Sequence, residues 1–368
     1  MLWNFVATSE SKFFMRTYLF IAAILWFSFA SSHAQTLSDC VASPPLPPNP
    51  KPGVNGLTFS KDGKTLVVAG SDGKIRLLDA ASGTVQRTLS GHTNAIYIAV
   101  YSPDEKLLAS SSRDLTARVW DVASGRELHK FTGFRCAVKS VAFSPDGRTI
   151  AATGNDGMIK LWDLKTEKEL RSFVHINSKD IDMSVYSVVF DRTGKKIYGA
   201  NGDGTISEWD IAQGKETRVW KAHDGNVFML RFNRDYSLLA SSGFDALVKL
   251  WNTSDWHEVR SMSMARAPAV RNIPSTGLTF SDDGKMIAAG DSGFDQKLTT
   301  YVYVQAVVWK VETGEKLWTI GGSHKFDING LTFTRDDKLL LTGSVDRTIK
   351  FWDMKSGSET RTITILSN

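Results

Sequence analysis

"HTNAIYIAVYSPDEKLLASSSRDLTARVWD", residues 92–121, contains three short runs of β-branched, aromatic and small residues, separated by two polar turns. Ile96–Tyr101 ends on an aromatic and meets Ser102–Pro103–Asp104; Leu107–Ser112 meets Arg113–Asp114; Ala117–Asp121 closes on Trp120. Runs of five or six residues bounded by Pro, Asp and Asn read as strands, since a helix needs a longer periodic stretch. A fourth strand follows in "GRELHKF", residues 125–131.

The phrase recurs seven times. Its leading strands end at Phe59, Tyr101, Phe143, Phe190, Phe232, Phe280 and Phe333, and its third strands close at Leu78, Trp120, Trp162, Trp209, Trp251, Trp309 and Trp352. Four short strands cannot bury both faces of one small sheet, so each unit must stack on its neighbours; a period of about 42 residues fits blades arranged in a ring. The expectation is an all-β chain, a seven-bladed β-propeller of four-stranded antiparallel blades.

Three units share one polar constellation. His92 precedes Asp114 by 22 residues and Asp114 precedes Trp120 by six; His223, Asp245 and Trp251 repeat the intervals, as do His324, Asp346 and Trp352. On these residues the chain resembles the WD-repeat family in its seven-bladed, exported bacterial form, over residues 54–368. The resemblance implies that imidazole, carboxylate, hydroxyl and indole form a buried network in each blade, with Ser110 or Ser112, Ser241 or Ser242, and Thr342 as hydroxyls. A constellation repeated three times is scaffolding: unpaired, each such group would cost about 1–3 kcal/mol when buried. Elsewhere Phe134 stands in the His position, Leu78 replaces the first Trp and His175 lies 28 residues before Asp203, and blades one, three and six are expected to lean on apolar packing.

Ahead of the repeats, Arg16, the apolar run Tyr18–Ala30 and the small residues Ser32 and Ala34 read as a secretory signal at 1–34, with Met15 an alternative initiator. The run is short for a membrane span, so the mature chain is expected not to insert. Residues 35–53, rich in Pro, read as an extended linker. Asp39 argues against lipid attachment at Cys40. Cys40 and Cys136 are the only cysteines, and in an exported chain they form either one disulfide or two free thiols. The formal charge of +5 falls to +4 without the signal, and no basic stripe appears, which disfavours nucleic acid as a partner.

Enzyme motifs are absent: there is no HExxH, CxxCH, GxSxG or GxxxxGK[ST]. No catalytic residue, cofactor or metal site is assigned. "TGEKLW", residues 313–318, is similar to the tryptophan-docking phrase of quinoprotein propellers, but occurs once, with Lys310 where Asp is expected. A quinoprotein-like periplasmic oxidoreductase and a small-ligand or carbohydrate receptor using the central channel are the rival readings. The leading reading is a non-catalytic scaffold, periplasmic or secreted, monomeric or part of a complex, that binds a protein or peptide.

In the family, partners dock on the face made by the fourth-to-first loops and second-to-third turns. By position this face carries Tyr97, Arg113, Tyr186, Phe228, Phe244 and Phe294, residue types favoured at contact centres. Three lengthened segments rise on the same face: "VHINSKDIDM" (174–183), "ARAPAVRNIPS" (265–275), and the stretch from Asp295 to Trp309, whose "TYVYVQAVVW" is expected to project a ribbon with Tyr301 and Tyr303 near its tip. Longer surface loops cost little and commonly carry binding.

Overall fold

The computed structural model describes residues 51–175, 182–264, 271–295 and 300–365, without the side chains of 271–276, 293–295 and 300–302. The signal segment, most of the linker, and Cys40 with its proposed bond to Cys136 lie outside the described residues.

Among the described residues twenty-eight strands form seven four-stranded sheets, each an antiparallel meander in chain order. The first strand of each blade lies innermost and touches the first strands on either side, and that of blade seven, Ile328–Phe333, touches that of blade one, Val54–Phe59. The ring is therefore closed. Its core is divided among seven apolar clusters, each straddling one seam between adjacent blades. This is the burial that isolated blades could not achieve, and it explains why small and branched residues crowd the second strands, such as "LVVAG" and "LASSS".

Blade seven builds all four strands from its own segment, and among the described residues no strand crosses the closing seam. Apolar contact and two arginines hold that seam. Val54, Leu66, Val68 and Leu78 meet Leu341, Ile349, Phe351 and Ile365. Arg361 lies over the Phe351 ring and donates to the carbonyls of Ala81 and Ser82, while Arg335 donates to those of Ser60 at 3.1 Å and Phe59 at 3.2 Å.

A bulge recurs near the start of the first strands. In blade one Val54 pairs with Gly70 but Gly56 with Ala69, leaving Asn55 out of register; Tyr97, Lys139, Tyr186, Phe228 and Asn329 occupy the same place in other blades. An extra residue in one strand re-aims its side chain. The fold thus turns one position in each of six blades toward the face that holds the fourth-to-first loops.

Blade six departs from its siblings. Its first three strands, Arg271–Phe280, Met286–Asp295 and Thr300–Lys310, run to ten, ten and eleven residues. Arg271 pairs with Phe294, and Phe294 with Tyr301, so the projection is three-stranded. Residues 271–275 were expected in a loop. They are strand instead, because the lengthened hairpin offers them an unpaired edge.

Candidate functional site

The repeated constellation is a continuous hydrogen-bond circuit running from indole to carboxylate. In blade two the Trp120 Nε1–H donates to Ser110 Oγ at 2.8 Å, His92 Nε2 lies 2.8 Å from the same oxygen, and His92 Nδ1 lies 2.8 Å from Asp114 Oδ2. The Asp114 carboxylate can only accept, so Nδ1–H donates to it, and a neutral ring leaves Nε2 to accept the Ser110 hydroxyl proton. Burial pulls the His92 pKa down, which keeps the imidazole neutral. Blades five and seven repeat the circuit through Ser241 and Thr342, with histidine-to-hydroxyl distances of 2.7 Å. His223 and His324 bond Asp245 at 2.9 Å and Asp346 at 3.0 Å. Ser112 and Ser242 are not the partners. Burial would raise the Asp114 pKa, but hydrogen bonds from His92, Thr116 and Thr93 hold it below the ordinary range. With Ser110 and Ser241 fully buried, the hydroxyls offer nothing to a substrate.

The remaining blades solve the same problem differently. Blade one uses a bidentate pair, Arg76 on Asp72 at 3.1 and 2.5 Å, above a buried Leu78. In blade three Phe131 and Phe134 pack on Trp162, with ring centroids 4.9 and 6.0 Å apart. Blade four keeps its polar pair despite the longer spacing: His175 Nε2 lies 3.1 Å from Asp203 Oδ2, and Nδ1 lies 3.6 Å from Glu216. The longer spacing in sequence does not part the two. Burial opposes protonation of His175, yet Asp203 and Glu216 overcome it and push its pKa up to about 9. Blade six places Asp291 where blades two and seven have Ser112 and Ser344. Its side chain is fully buried, Gln305 Nε2–H donates to Oδ2 at 3.2 Å, and burial pushes its pKa up to about 6.

The face expected to dock partners is organised around the bulged residues. Tyr186 and Phe228 meet edge-on at 5.2 Å, and Phe228 lies 6.4 Å from Phe244, which is 40 % exposed. Asp182 anchors this row by accepting from the Tyr186 hydroxyl at 2.6 Å and from Asn226 at 2.7 Å. Two blades away, Lys139 Nζ sits over the Tyr97 ring at 4.2 Å and donates to its hydroxyl. Arg113 is half-buried on its second-to-third turn.

Phe294 does not share that equivalence. The register puts Ser292, not Phe294, level with Arg113 and Phe244; Ser292 is fully buried and donates to Asp327 at 2.6 Å. Phe294 and Tyr301 lie further out on the blade-six projection, where side chains are not described. Tyr303 is half-buried below them, beside Asp291.

The exposed large apolar side chains reveal two residues that sequence reasoning missed. Five of the nine lie on outer fourth strands, whereas Met183, Phe244, Phe326 and Val345 all lie in loops or turns of the docking face. Phe326 is the most exposed, at 48 %. Met183 closes the lengthened segment 174–183, and Phe326 stands two residues after His324, where blades two and five carry Asn94 and Gly225, so position without a recurring residue type singled out neither side chain.

Trp318, from the quinoprotein-like phrase, packs against Gly357 and donates to the Met354 carbonyl at 3.1 Å, docking blade six on blade seven. Among the described residues no three metal-ligating side chains converge. No helix of the described residues is long and apolar enough to cross a membrane.

Comparison with known proteins agrees with this architecture. The family profile described as "IFT122 first beta-propeller" matches residues 53–293, and that of "WD domain, G-beta repeat" matches residues 314–353. Protein tipD of Dictyostelium discoideum is 28 % identical over 149 residues, covering 40 % of this chain and 21 % of that protein. The F-box-like/WD repeat-containing protein TBL1X of Mus musculus is 28 % identical over 148 residues, 38 % of this chain and 26 % of its own length. The ribosome biogenesis protein WDR12 homolog of Brugia malayi is 24 % identical over 150 residues, 38 % and 34 % respectively. The matches thus cover about a third or less of each relative. All three relatives are eukaryotic, which lends no support to the bacterial, exported form of the resemblance.

Proposed function

For a chain that belongs to the WD-repeat β-propeller family, we propose the role of a non-catalytic scaffold that docks a protein or peptide on the face bearing the bulged residues. The carrying observation is the gathering there of Met183, Phe244, Phe326 and Val345, which among the described residues are all the exposed large apolar side chains off the outer strands. Stiff aromatics in a polar rim suit a contact centre: they bury large area while losing little side-chain freedom. The Tyr186–Phe228–Phe244 row supplies one anchor, Phe326 with Val345 a second, and the blade-six projection stands between them.

Affinity capture from the source cell extract tests this. Phe244→Asp combined with Phe326→Asp should remove partners that the wild-type chain retains, while Val219→Asp on an outer strand should not. Equal capture by the double variant would refute the assignment.

An exported setting, read from the apolar run Tyr18–Ala30, and a Cys40–Cys136 disulfide belong to the same proposal. The mass of the chain recovered outside the cytoplasm, alkylated without reduction, tests both: cleavage near Ala34 and no added label are expected. An uncleaved or doubly labelled chain would count against them.

A further inference from the structure

The opposite end of the channel carries a different chemistry. There the first strands run into the turns of blades five, six, seven and one, around a cavity of about 640 Å³ lined by Lys61, Arg231, Arg234, Arg335, three phenylalanines and a single carboxylate, Asp282. That volume lies within the range of small-molecule sites.

Three of the four cations are already engaged. Arg234 and Arg335 share Asp282, Arg335 also donates to the backbone of blade one, and the Lys61 ammonium donates to the Pro103 carbonyl. Arg231 makes no hydrogen bond or ion pair among the described residues. It stands on the channel-facing position of its strand, opposite Ala240, where the other six blades place Thr, Val or Ala. Burial alone depresses its pKa, with no carboxylate near enough to oppose it. A guanidinium remains charged in such a place, and its five donors form a rigid fork matching a carboxylate or phosphate.

We propose that this channel mouth binds a small organic anion through a carboxylate or phosphate group held by Arg231, with the phenylalanines covering its apolar part. The site lies on the face opposite the docking surface and does not depend on that assignment.

Calorimetric titration of the full chain with inorganic phosphate and with citrate, at matched ionic strength against sodium chloride, tests the proposal and distinguishes the two anion chemistries. At least one should bind, and Arg231→Met should weaken it at least tenfold. Thr279→Glu, which places a carboxylate beside Arg231 from the neighbouring strand, should abolish binding and raise the melting temperature. Thr279→Glu also keeps the test decisive if the Met variant misfolds. Failure of both anions to bind, or binding unaffected by either variant, would overturn it.

Discussion

Replacing Asp291 by Asn should stabilise the protein at neutral pH. The carboxyl is fully buried on the second strand of blade six; Gln305 and the Tyr303 hydroxyl bond it, while Oδ1 accepts no hydrogen bond. Desolvation raises its pKa from 3.8 to about 6. A raised carboxyl pKa means that the folded state holds the proton more tightly, so stability falls as pH rises from about 4 to 6 and stays lowered above. Two pH units correspond to about 3 kcal/mol, since one is about 1.4. For a domain of this size that is on the order of 5 °C in melting temperature. Asn keeps the shape and an acceptor but carries no charge to desolvate. Thermal melts of both proteins from pH 4 to 8 should therefore separate progressively, coinciding near pH 4 and parting by roughly 5 °C at pH 7. A constant offset across the range, or a less stable variant at pH 7, would refute the reasoning.

His175 gives the opposite sign. Its pKa rises from 6.5 to about 9, so its contribution is complete below pH 6.5 and lost as pH climbs through 9; discounted for solvent screening, it is on the order of 1–2 kcal/mol. His175→Gln should flatten the alkaline fall in melting temperature, and an unchanged slope would show the Asp203 pairing to be inert. Trp120→Ala removes a side chain only 1 % exposed together with its bond to Ser110, and should cost about 3–5 kcal/mol. A melt indistinguishable from wild type would contradict the blade assignment.

The repeat was legible because propeller geometry imposes constant intervals. From the aromatic ending each first strand, twelve residues lead to Ser71, Arg113, Asn155, Gly202, Phe244 and Val345. The same count from Phe280 reaches Ser292, the position shown by the strand register. Seeking the next Asp instead led to Phe294, because the lengthened hairpin separates the turn from the strand that dictates it. His175 taught the converse: a six-residue longer spacing looked like a lost pair, yet a loop absorbs added length while its ends stay packed. The unpaired state of Arg231 could not be read at all. Whether a half-buried cation finds a carboxylate depends on turns of other blades, and no local pattern records that.

The closing seam uses the same kind of contact as the other six, so the propeller has no privileged joint. Joining residue 365 to residue 51 through a short linker and opening the chain in any turn between blades should give a permuted protein of nearly unaltered structure. It also fixes how the ring would yield under load: pulled from those two residues, it would unzip at the Arg335 and Arg361 contacts and peel blade by blade, since among the described residues no interwoven strand clasps it shut.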